Sequence, residues 1–172
     1  LTKWMHRFTN EIIFKIATGV KNNAVAAYYH TIVVPESIKS LNENDQEKLK
    51  DAEDFVQSVE IYMRGIAYFF VFNKFIRNNF PFIREKIKSL LKNKEKFFGK
   101  IRKIISDRRI EIENTPLDQP LRHDLLTSHI TANTPRDINV IKHSDDVDMS
   151  KPLNDKVIFG NIFESIIAGT DT

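Results

Sequence analysis

Five consecutive residues, Ala168, Gly169, Thr170, Asp171 and Thr172, combine the side chains needed to admit a small ligand and to hand it a proton. Ala168 and Gly169 remove bulk from one place on a helix, opening a groove where a ligand can touch backbone. A glycine inside a helix costs roughly 1 kcal/mol against alanine, and a threonine hydroxyl can bond the carbonyl one turn back and bend the helix. Asp171 and Thr172 set a carboxylate and a hydroxyl beside that groove, which is the equipment for proton delivery. The same string also reads as a glycine helix stop followed by a frayed polar tail. The elements upstream decide between the two.

The string closes an apolar run in which Ile158, Ile162, Ile166 and Gly169 recur at helical spacing, so a buried helix over residues 154–172, with Asn154 as its N-cap, must position it. That spacing also puts Glu164, Ala168 and Thr172 on one broad face with Ile167 beside them. Glu164 is open to two uses, selecting a basic group on a ligand or pairing with a Lys or Arg from the basic helix at residues 84–109.

Four further helices are expected. The first spans residues 1–18, burying Leu1, Met5, Phe8, Ile12, Ile13 and Ile16 and ending at Gly19. After a short helix and a loop in residues 20–42, Asn44 with Glu47 three positions on reads as the capped start of a helix over 44–77. A turn at 78–81 leads to a long helix over 81–113 with a stripe of Ile83, Ile87, Leu90, Leu91, Phe98, Ile101, Ile105 and Ile112. A short helix at 120–132 carries Asp124-Leu125-Leu126, and a polar loop fills 133–152.

Composition sets the bounds around these elements. The 172 residues are 41% hydrophobic with 13 Phe and a net charge of +3, which describes one globular, helix-leaning domain's worth of chain. There is no Cys, so thiolate chemistry and disulfides are excluded from this segment. His6, His30, His123, His129 and His143 sit on different elements without paired spacing, and Asp145, Asp146 and Asp148 lack the glycine and closing Glu of a calcium loop, so no metal site is expected.

Two surfaces suggest partners. Between residues 84 and 109 eleven Lys and Arg face three acidic residues, a face that suits phosphates or an acidic partner and equally a solvated surface, and no motif or interleaved aromatics point to nucleic acid. Phe69, Phe70, Phe72, Phe75, Phe80 and Phe82 form an aromatic corner bordered by Lys74, Arg77 and Arg84. It reads either as ordinary core or as a contact with a membrane surface.

The order of these elements resembles the middle of a cytochrome P450, the haem-thiolate monooxygenase family. That family's central helix carries a small residue, Gly, any residue, an acid and Thr, which Ala168, Gly169, Thr170, Asp171 and Thr172 match position for position. Phe159-Gly160-Asn161-Ile162-Phe163-Glu164 resembles the run before that motif. Asp124-Leu125-Leu126 resembles the segment after the family's long helix ending in paired arginines, here Arg108-Arg109, and Ala17-Thr18-Gly19 resembles the close of a helix packed beside the oxygen-binding one.

The resemblance implies an all-α fragment, residues 1–172 forming a single partial domain that is the helical core portion of a mainly α fold. It implies haem (iron protoporphyrin), dioxygen, an apolar small-molecule substrate and an NADPH-dependent reductase or other electron donor. Thr172 and Asp171 would be the catalytic proton-delivering pair, Ala168 and Gly169 the oxygen- and haem-facing groove, and Glu164 and Ile167 the substrate contacts. The corner from Phe69 to Phe82 would touch the membrane, and the endoplasmic reticulum, cytosolic face, would be the location. The axial Cys and the family's later Glu-x-x-Arg pair are absent from this sequence and are expected outside it, so the fragment alone is expected to be inactive. The alternative is a non-catalytic helical interaction module built on the basic helix.

Overall fold

Helix-forming patterns dominate the chain, and the computed structural model, which describes residues 2–138 and 151–170, contains helices and no strand among the described residues. Helix α1 is Thr2–Thr18, α2 is Ala24–Tyr28, α3 is Glu43–Val71, α4 is Lys74–Asn79, α5 is Pro81–Asn114, α6 is Leu125–Thr131 and α7 is Asp155–Thr170. Between α2 and α3 the chain winds through a π-helical turn, Tyr29–Val33, and a 3-10 turn, Pro35–Ser40. Among the described residues no helix is long and apolar enough to cross a membrane.

Local chemistry places the ends, in several cases not where the periodicity suggested. Helix α3 starts at Glu43, and its cap is Asn42, two residues before the expected Asn44. Asn42 Oδ1 accepts the Asp45 N–H at 2.9 Å while Asn42 Nδ2 donates to Asp45 Oδ2, a reciprocal cap that Asn44 and Glu47 do not form. Instead of continuing to residue 77, α3 stops at Val71, because Phe72 is extended and Asn73 caps α4 by accepting the Ile76 N–H. Phe80 is extended before Pro81, as the proline ring requires, and α5 begins there. Helix α6 begins at Leu125 rather than 120, with Asp124 as its cap. At α7 the expected cap is present, since Asn154 Oδ1 accepts the Val157 N–H at 3.0 Å. Gly19 ends α1 at φ +65, where a Cβ would also lie 3.0 Å from Asp124 Cγ.

The described residues fall into two compact units, Leu1–Phe8 with Asn23–Lys100, and Thr9–Asn22 with Ile101–Thr172, so α1 and α5 each contribute to both. In the first unit α3 and α5 run antiparallel. Asp51 with Lys100, Asp54 with Lys96, Ser58 with Asn93 and Gly65 against Leu90 mark their register. Phe55 meets the fully buried Phe97 edge to face at 5.6 Å. Phe97 is thus the aromatic of the α5 stripe, where Phe98 was expected. It lies seven residues after Leu90 and four before Ile101, closer to the true helical period, while Leu91 is 43% exposed.

The second unit buries Ile158, Ile162 and Ile166 of α7 and Leu126 and Ile130 of α6, and these two helices lie against one another. Arg136 closes the C-terminal end of α5, its Nη1 donating to the carbonyls of Ile112 at 2.6 Å and Thr115 at 2.8 Å.

The buried face of α1 is not the expected one. Met5, Phe8, Ile12 and Ile16 are 50%, 52%, 44% and 59% exposed, and the helix instead buries Arg7, Asn10, Phe14, Ala17 and Thr18. Both sets recur at three- and four-residue spacing, so periodicity alone cannot choose between them.

Candidate functional site

The face expected to do chemistry belongs to α7. Ile158, Ile162, Ile166 and Thr170, four apart, form its buried stripe. On the opposite side Glu164 and Ala168 are exposed, Ile167 is half-buried beside them, and Gly160, one turn before Glu164, has open space where a side chain would stand. Gly160, Glu164 and Ala168 therefore make a small-acid-small strip along one side of the helix. Glu164 forms no ion pair among the described residues, so its expected pairing with the basic helix is not made. Leu1, Asp171, Thr172 and the run containing His143, Asp145, Asp146 and Asp148 lie outside the described residues.

The last described turn of α7 is clamped by α1. At Gly169 a Cβ would come 2.7 Å from Ile13 Cβ, so the glycine is the residue that lets α1 approach. One turn away Asn10 Nδ2 donates to Thr170 Oγ1 at 2.8 Å, Thr170 Oγ1 donates to the Ile166 carbonyl, and Asn22 Nδ2 donates to Asn10 Oδ1 at 2.7 Å. Asn10 and Thr170 are fully or almost fully buried. The helix-bending hydroxyl expected from the motif is thus present at Thr170. The Asn10 contact, between residues 160 apart, had no local signal beyond a polar residue at helical spacing from Phe14 and Ala17.

A second buried junction also escaped the sequence. Arg108, counted there with the basic face, is 4% exposed. Its Nη1 donates to Asp124 Oδ2 at 2.7 Å and Thr127 Oγ1 at 2.8 Å, and its Nη2 donates to the Thr18 carbonyl at 2.7 Å. It joins the end of α1, α5 and the start of α6. In the first unit Arg7 plays a comparable part, with Nη2 donating to Glu53 Oε1 and Nη1 to Glu60 Oε1, both at 2.6 Å, and its guanidinium over Tyr28 at 4.8 Å. Burial works against the Arg7 charge, but the two carboxylates more than offset it and its pKa is raised.

The other candidates separate. Much of the basic helix is neutralised, with Lys96 on Asp54, Lys100 on Asp51, Lys88 on Glu85 and Arg109 on Asp155. The aromatic corner is not core, since Phe70, Phe75, Phe80 and Phe82 are 85%, 69%, 53% and 89% exposed. Among the described residues no three His, Asp or Glu side chains gather where they could hold a metal ion. Burial lowers the pKa of His129, whose Nε2 lies 3.4 Å from Asn161 Nδ2 on α7.

No known protein family, curated protein or solved structure matches this chain.

Proposed function

We propose that this chain is the oxygen-activating segment of a haem-dependent monooxygenase, inserting one atom of dioxygen into an apolar organic substrate. The observation that supports this reading is the two-sidedness of α7. One side is anchored by Ile158, Ile162, Ile166 and Thr170, and the other presents Gly160, Glu164 and Ala168 as a face with little side-chain bulk. A helix that gives up bulk on one side while a buried clamp holds its final turn is suited to lie against a flat ligand.

The residues present suit the facing role and not the ligation of iron, because the chain has no Cys to provide a thiolate; in this reading a cysteine outside this sequence would supply it. Haem would supply the redox chemistry of dioxygen, with electrons from an NADPH-dependent reductase. The chain's own contribution is positional. The Asn10–Thr170 bond and the Gly169–Ile13 contact hold the last described turn of α7 against α1, and in this reading Thr172 would offer its hydroxyl and Asp171 would help relay protons. Glu164 and Ile167 would meet the substrate. The exposed phenylalanines from Phe69 to Phe82, with Lys74, Arg77 and Arg84 around them, suit a peripheral contact with the cytosolic face of the endoplasmic reticulum.

The test is a carbon-monoxide difference spectrum of the expressed parent protein. Thiolate-ligated haem gives a characteristic band, and a parent protein with no such band overturns the proposal. With haem bound, Thr172→Ala is expected to keep substrate binding but release more peroxide per electron pair consumed, and unchanged coupling removes the role assigned to Thr172.

A further inference from the structure

The first unit holds an apolar cavity of about 330 Å³ between α3 and α5, walled by Tyr62, Gly65, Phe69, Phe70 and Leu91, with Lys94 as its one charged lining residue. That volume is at the small end of the ~300–1,000 Å³ typical of small-molecule sites, and a greasy wall with one or two polar groups is their usual composition. We propose that this cavity binds a monoanionic amphiphile, its apolar body between α3 and α5 and its carboxylate on the Lys94 ammonium.

Three observations favour an anion over a neutral ligand. Lys94 makes no ion pair among the described residues, although Lys96 and Lys100 on the same helix are held by Asp54 and Asp51. Its ammonium lies over the Phe98 ring at 5.1 Å, so the stem follows apolar surface. Arg77, outside the lining, lies over the ring of the lining Phe69 at 5.2 Å, and its Nε is shielded from solvent without a hydrogen-bond partner. No Asp or Glu lines the cavity to oppose a carboxylate, and burial raises the pKa of Tyr62, which keeps that phenol uncharged. Gly65 shapes the floor. A Cβ there would lie 2.7 Å from Leu90 Cδ2, so only glycine lets Leu90 sit this close to α3.

The site uses no residue of α7 and needs no haem, so it stands or falls separately from the oxygen-activating reading. The experiment is calorimetric titration of the intact chain with dodecanoate and with dodecanol, each below its micelle concentration. Saturable binding of dodecanoate at one site is expected. Lys94→Met should weaken dodecanoate about three- to fivefold, the upper part of the range for a solvent-accessible charge pair, and leave dodecanol within about twofold. Leu91→Trp, at an exposed lining position that the fold tolerates, should abolish both while circular dichroism is unchanged. Absence of saturable binding, equal weakening of both ligands by Lys94→Met, or full binding by Leu91→Trp overturns the proposal.

Discussion

Helices α1 and α5 carry apolar stripes of similar regularity, yet only α5 buries its own. In α5 the inward residues include Ile87, Leu90, Phe97, Ile101, Ile105 and Ile112, with Arg108 among them. In α1 the apolar residues Met5, Phe8, Ile12 and Ile16 are exposed, and the inward side holds an arginine and an asparagine. A repeat of three and four residues says that a helix has two faces. It does not say which face finds partners. Arg7 finds Glu53 and Glu60, and Asn10 finds Thr170 and Asn22, so the polar side of α1 meets partners inside that offset the cost of lost hydration.

The strongest way to break this comparison is at Arg7. Arg7→Met strands the buried Glu53 carboxylate and is expected to cost about 3–5 kcal/mol in urea unfolding, whereas Arg7→Met with Glu53→Leu should recover much of that loss. A loss for the single variant comparable to an ordinary surface change would mean that the polar side of α1 is not what holds it. In α5, Ile105→Ala should cost about 2–5 kcal/mol by opening a cavity, as an apolar inward face predicts.

The two glycines of α7 sharpen the contrast between its faces. Gly169→Ala drives a methyl into Ile13 and is expected to destabilise by about 1–3 kcal/mol, while Gly160→Ala meets open space and should stabilise by up to about 1 kcal/mol through helix propensity. Thermal unfolding of both variants reads the sign directly, and the same sign for both would remove the distinction between a clamped and an open face. On α1, Ile16→Lys should stay within about 0.5 kcal/mol of the parent stability, since that side chain is exposed.

The smallest expected effect is a pH dependence from His129. Burial lowers its folded-state pKa, so the unfolded chain binds the proton more readily. Stability from this group therefore falls as pH drops below the unfolded value near 6.5, and the decline levels off once pH passes below the folded pKa. His129→Gln should flatten that part of the stability curve, measured by denaturant unfolding across the acid range.

Legibility followed the reach of each interaction. The Asn154 cap, the glycine end of α1 and the Ile158, Ile162 and Ile166 stripe are set within one or two turns, and each was readable as such. The start of α3 was read at Asn44 because Glu47 three positions on fits a capping pattern, while the cap that forms is Asn42, and the break at Phe72 was hidden within a run of aromatics. The clamp on α7 was half readable: the small and hydroxylated residues at 168–170 stood out, but their partners Asn10 and Ile13 lie far away in the chain.

The sequence by itself determined that this chain is helical, where α1 ends and where α5 and α7 begin, and that α7 has one bulky side and one bare side. Periodicity, caps, prolines and glycines act over a few residues and are written locally. The tertiary structure decided which face of α1 turns inward, that Arg108 is a buried junction rather than part of a basic surface, and that the aromatic corner stays outside. Those outcomes depend on whether a charge or an amide meets its complement across tens of residues, which local pattern does not encode.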